Sequence, residues 1–220
     1  MSQNLKPVKK KSFPILAVVG IAAVVIVFLT AGGFAFAASQ ESHDSFCSSC
    51  HSQPESTFYE RSTAAQPVDL ASYHTTKNTN CIDCHSGQGL TGRLSAEILG
   101  ARNAALWYTG TAVQPAVLSF PIGDGNCLKC HQDVTVRGYT PKTQVTLQGI
   151  RGGGRGGGEA GNNHWHEQLA KWQATSANAG TCNSCHSGHL TDGTAQTAFV
   201  NTQNVQQVCD ACHQVLRRGD

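Results

Sequence analysis

The sequence predicts a mainly helical and irregular fold: one N-terminal transmembrane helix, then a compact domain with little regular secondary structure. Three observations carry this. Residues 13–38 run without a charge. The chain beyond them is poor in Leu, Ile, Val and Phe and rich in Gly, Ser, Thr, Asn and Gln. All ten cysteines fall in copies of one short motif. A domain of that composition buries too little aliphatic surface to offset the entropy of folding, so its interior must be supplied in another way.

The first element is the span. "KPVKKK" puts Lys6, Lys9, Lys10 and Lys11 into a basic tail over residues 1–12. "FPILAVVGIAAVVIVFLTAGGFAFAA", residues 13–38, follows. A helix of about 20 apolar residues crosses a bilayer. The lysines predict an N-terminus in the cytoplasm and residues 39–220 on the periplasmic side of a bacterial inner membrane. "AFA" at 35–37 has the shape of a cleavage site. Yet the apolar run exceeds the 7–15 residues usual for a signal peptide core, which favours a retained, uncleaved anchor. The chain counts as +2, but beyond the span fourteen acidic residues face twelve basic ones. The basic balance is therefore a topology signal and no argument for nucleic acid.

The cysteines form five motifs: "CSSCH" (Cys47, Cys50, His51), "CIDCH" (Cys81, Cys84, His85), "CLKCH" (Cys127, Cys130, His131), "CNSCH" (Cys182, Cys185, His186) and "CDACH" (Cys209, Cys212, His213). C-x-x-C-H is the attachment signature of c-type haem. Thiols one helical turn apart each bond a vinyl group on one haem edge, and the adjacent His lies beneath the iron as its proximal ligand. Paired C-x-x-C zinc knuckles remain as an alternative, but five halves do not pair evenly. A disulfide framework needs no His after each pair. The sequence thus predicts five covalently bound haem c groups, which also supply the missing apolar interior.

Five further histidines remain: His43, His74, His164, His166 and His189. The single Met is Met1, before the span. Five irons each need a sixth ligand, and supply equals demand. Bis-His ligation throughout is predicted, which suits electron transfer rather than substrate binding, and no catalytic residue is assigned.

Along the chain, 90–108 puts Leu90, Leu94, Ile98, Ala101 and Ala105 on one helical face. "HWHEQLAKW" spaces Trp165, Leu169 and Trp172 as a helix that packs against haem faces, with Gly180 as a stop signal. This helix is expected to begin near His166, with His164 and His166 reaching different haems and Trp165 as a spacer. The segment carrying the fifth motif also reads as a helix. "RGGGRGGGEAG", 151–161 within a Gly-rich loop at 150–161, is a linker by composition. A faint internal repeat sets His74 between motifs one and two, and His164 and His166 between motifs three and four.

The span, then "CSSCHSQPESTFYE", "SYH", "CIDCHSG" and "CHSGH", resembles the NapC/NirT group of membrane-anchored multihaem cytochromes. That resemblance implies that His74 and His189 serve haems other than their nearest. Those relatives carry a Met after the first motif beside the haem nearest their quinol site, where this chain has Ser52 and Gln53. The difference argues against a quinol site here. In architecture the chain is also similar to the pentahaem cytochrome c component of bacterial alternative complex III. This implies an electron conductor between iron–sulfur and quinol-binding integral membrane subunits and a periplasmic carrier or terminal oxidase. The alternative is a stand-alone NapC/NirT-type menaquinol dehydrogenase feeding a periplasmic reductase.

Overall fold

A computed structural model describes residues 14–50, 53–118, 121–135 and 164–217. The basic tail, His51 and Ser52, and the Gly-rich loop lie outside the described residues. The chain divides into two units, residues 1–41 and 42–220. Every described element is helical, as expected.

The first unit is α1, Ile15–Gln40. Pro14 precedes it, where a missing N–H costs no helical hydrogen bond. At 1.5 Å per residue its 26 residues extend about 39 Å, enough to cross a bilayer. None of its side chains is buried. The Thr30 hydroxyl donates to the Ile26 carbonyl and the Ser39 hydroxyl to the Phe36 carbonyl, both at 2.7 Å, so the hydroxyls of the helix are satisfied within it.

The second unit is built from α2 (Asp44–Cys50), α3 (Glu55–Ser62), α4 (Leu70–Thr75), α5 (Cys81–His85), α6 (Gly89–Tyr108), α7 (Asp124–Leu128), α8 (His164–Thr175), α9 (Cys182–Cys185) and α10 (Val205–Arg217). Most are one or two turns long. Among the described residues only Trp172, Phe199, Val200 and Val205 are buried hydrophobics. This matches the aliphatic shortage in the composition. Trp172 packs against protein here: a Cβ on Gly180 would lie 2.7 Å from its ring and 3.3 Å from Val208 of α10. Gly180 therefore serves close approach as well as helix termination.

Polar contacts do much of the joining. Asp69, 1% exposed, caps α4 by accepting from the Ser72 N–H at 2.8 Å, while the Ser72 hydroxyl accepts from the Asp69 N–H at 3.0 Å. Arg61 of α3 meets the same carboxylate at 3.4 Å and donates to the His189 carbonyl at 3.0 Å. The Ala71 N–H donates to the Gly188 carbonyl at 2.9 Å. One buried carboxylate thus ties α3 and α4 to the loop after the fourth motif. Removing it loses the cap, about 1 kcal/mol, and leaves Arg61 without its buried partner. Asp69→Ala should lower the unfolding free energy by about 3 kcal/mol, read from denaturant titration of the haem-loaded protein. Asp69→Glu should lose less.

One expectation is corrected. The helix in the "HWHEQLAKW" segment begins at His164, two residues earlier than predicted. In a helix, residues two apart diverge by about 200°, so positions 164 and 166 lie on nearly opposite sides of it. The predicted helix over 90–108 forms within α6, and Leu90, Leu94 and Ile98 on its apolar face are exposed.

Candidate haem centres

Each described motif lies on or at the end of a short helix. Cys47 and Cys50 are in α2, Cys81, Cys84 and His85 in α5, and Cys209, Cys212 and His213 in α10. Cys127 is in α7, with Cys130 and His131 just beyond; Cys182 and Cys185 are in α9, with His186 at its C-cap. An i, i+3 spacing on a helix brings both thiols to one side. None of the ten cysteines is paired in a disulfide.

The motifs touch in chain order. Asp44, three residues before Cys47, accepts from the Cys81 N–H at 2.8 Å, and the Cys81 thiol is hydrogen-bonded to Cys47. Lys129 in the third motif donates to the Asp83 carbonyl and the Ser86 hydroxyl of the second, both at 3.1 Å. Asp124, three residues before Cys127, accepts from the Cys182 N–H at 2.7 Å. The hydrogen bond with Cys182 brings the Cys127 thiol down to about 7 and, with burial, pushes Cys182 well up. Burial, with Cys209 and Cys212 nearby, raises Cys185 to about 11. The buried Asn201 ties these last two motifs. Its N–H donates to the Cys185 carbonyl at 2.6 Å, and its side-chain oxygen accepts from the N–H groups of Gln203 and Asn204, ahead of α10.

Histidines meet across these junctions in twos. His85 and His189 have ring centroids 6.3 Å apart, His74 and His131 6.0 Å, and His166 and His186 6.1 Å. Each pair joins one motif histidine to one outside the motifs. Two imidazoles bound trans to one metal at about 2 Å each hold their centroids roughly 6 Å apart. By contrast, Phe58 and His189 are in direct stacking contact at 3.8 Å and 7°. Among the described residues no group of three or more His, Cys, Asp or Glu is placed to hold a metal ion, as a zinc knuckle would need.

The ring nitrogens fit the same use. His74 Nδ1 is 2.8 Å from the Leu70 carbonyl, and His186 Nδ1 is 2.9 Å from the Ala198 carbonyl. An imidazole donating from Nδ1 to a carbonyl keeps its Nε2 lone pair for a metal. Ala198 and Phe199 both take left-handed conformations, at φ 49° and 52°. That strained pair aims the carbonyl that holds His186. Burial lowers the pKa of His85, His131, His186 and His189, and takes His166 to about 4 with help from His186. Such rings stay neutral, the form that ligates iron.

The remaining histidines are placed less fully. His43 precedes α2 with its Nδ1 3.3 Å from the Ser42 hydroxyl. His164 opens α8. The structure of His51 and the side chain of His164 lie outside what is described. Sequence reading missed Asp44, Asp124, Asp69, Arg61 and Phe58. A signal for two of them was present: motifs one and three, "DSFCSSCH" and "DGNCLKCH", carry Asp three residues ahead, and motifs two and four do not.

A family model, the N-terminal region of the NapC/NirT cytochrome c family, matches residues 8–119. This chain belongs to that family. Membership makes it a membrane-anchored cytochrome with covalently bound haem c, working in electron transfer, and α1 fits the anchor. The matched region takes in α1 through α6 and the first two motifs. No match was found among curated proteins or solved structures.

Proposed function

We propose that this cytochrome carries five haems and conducts electrons along them in motif order, as one component of a quinol-oxidising membrane complex of the alternative complex III type. The contact of each motif with the next, repeated at all four junctions, is the observation that carries this reading. Haem iron supplies reversible one-electron transfer when bound. The ten motif cysteines hold the groups, and His51, His85, His131, His186 and His213 are their proximal ligands. His189 is the sixth ligand for the second motif, His74 for the third and His166 for the fourth, in line with the three ring pairs. His43 and His164 then serve the first and fifth motifs. Full ligation leaves no open position, so the chain conducts and does not catalyse. The four lysines of the tail orient it with the haem domain outside the cytoplasm. Its partners are quinol-binding and iron–sulfur membrane subunits and a periplasmic acceptor.

The family match favours one second reading, a stand-alone menaquinol dehydrogenase. Isolation decides between them. Extracted gently from its native membrane, the chain should co-purify with other integral membrane subunits at fixed stoichiometry. Alone in detergent, it should fail to oxidise menaquinol. A lone chain that oxidises menaquinol and is blocked by a quinol analogue establishes the second reading instead.

A further inference from the structure

We infer that residues 90–118 form a second membrane contact, with α6 lying in the bilayer surface and the loop after it dipping into the same leaflet. Four observations converge. Leu90, Leu94 and Ile98, 85%, 54% and 63% exposed, form an i, i+4, i+8 row along α6. The opposite side, with Gly92, Ala96, Leu99 and Leu106, is the more covered one. The row therefore faces away from the domain. It continues into Tyr108, Val113, Val117 and Leu118, exposed by 85%, 74%, 74% and 68%.

Residues 103–123 also contain no charged side chain. A stretch with Pro115 and Pro121 is no second span, yet it lacks the charges that keep exposed loops in water. Trp107 and Tyr108 at the end of α6 are the residue types that settle at headgroup level. Arg102, exposed beside the apolar row, is placed to meet lipid phosphate.

The occupant follows from the tether. The anchor helix ends at Gln40, and α2 of the second unit begins at Asp44. Three intervening residues reach at most about 14 Å. The first residue of the haem domain's α2 therefore stays within that distance of the anchor's end, whatever else the domain binds. An apolar surface on a domain confined there meets lipid first. An amphipathic helix in that position partitions into the interface by its apolar area and its basic flank.

The test uses the full haem-loaded chain, with a protease site inserted at Glu41, reconstituted into phosphatidylcholine–phosphatidylglycerol vesicles. After cleavage the haem domain should sediment with the vesicles. Leu94→Glu combined with Val117→Glu should put at least tenfold more of it in the supernatant, with the haem spectrum unchanged. Leu118→Glu alone, in the loop, should give at least a threefold rise. Release of the unaltered domain from vesicles overturns the proposal. If that released domain still stays on native membranes after the same cut, a protein partner covers the surface instead. Retention of the charged variants on vesicles at the unaltered level also overturns it.

Discussion

Replacing His189 by Met raises the midpoint potential of one haem, and that haem is the one on the second motif rather than the fourth. His189 follows the fourth motif by three residues, but the resemblance to the NapC/NirT pattern implies that it serves a haem other than this nearest one. The fold places it beside the second motif. Arg61 holds its carbonyl, Phe58 stacks on its ring, and its partner across 6.3 Å is His85. His186 is already faced by His166. Exchanging an imidazole for a thioether favours the reduced iron, and axial ligands and surroundings together command a range of roughly 0.8 V. A rise on the order of 0.1 V in a single haem is expected. His189→Ala removes the ligand outright and should give one high-spin haem in electron paramagnetic resonance. A Cys81→Ala background identifies which haem responds. With one thioether gone, a vinyl group stays conjugated, and that haem's absorption band moves and marks it. The potential shift should track the marked band. If the unmarked bands shift instead, the pairing of His85 with His189 is wrong.

Much of this was legible in the sequence, for reasons that differ by element. The span and α10 were readable because their patterns are local: an uncharged run, and a helical segment carrying a motif. The motifs were readable because the chemistry of thioether attachment fixes their spacing. The histidine count leads to the expectation of ligation in twos, and three pairs of rings lie 6.0, 6.1 and 6.3 Å apart, the spacing on which the proposed ligand assignment rests. Which histidine meets which motif was not legible. The partners are separated by 104 residues for His85 and His189, and by 57 for His74 and His131. No local period encodes contacts that are set by the Asp69–Arg61 joint and the strained turn at Ala198 and Phe199. The start of α8 is misleading because two alternating histidines suggest extended chain, while the stripe of Trp165, Leu169 and Trp172 continues helically through them. The exposed row of α6 has the opposite lesson. Periodicity identified a face correctly, but periodicity alone does not say whether a face turns inward.

The two aspartates ahead of motifs one and three should matter more than any surface carboxylate, because each spans a junction. Asp124 accepts from the Cys182 N–H at 2.7 Å through one oxygen and from Gln173 Nε2 at 2.6 Å through the other. Gln173 donates in turn to the Gly180 carbonyl at 3.0 Å. One carboxylate therefore fixes the start of α9 against α7 and both against α8, the helix that carries His166. Asp44 makes the matching bond to Cys81, and neither bond is local in sequence. Hydrogen bonds to a charged acceptor contribute about 1.5–3 kcal/mol each, so Asp124→Ala should cost about 3–5 kcal/mol and Asp44→Ala about 2–3. The larger consequence is geometric. These bonds hold the first cysteine of one motif against the first cysteine of the next, so haems attached there would be neighbours. Loosening the third and fourth motifs should weaken the exciton splitting of the Soret band in circular dichroism and slow electron passage across that junction alone. Asp124→Asn keeps an acceptor for the Cys182 N–H and should restore most of the splitting while recovering only part of the stability. If Asp124→Ala destabilises the protein yet leaves the splitting unchanged, the carboxylate supports the fold without setting the junction.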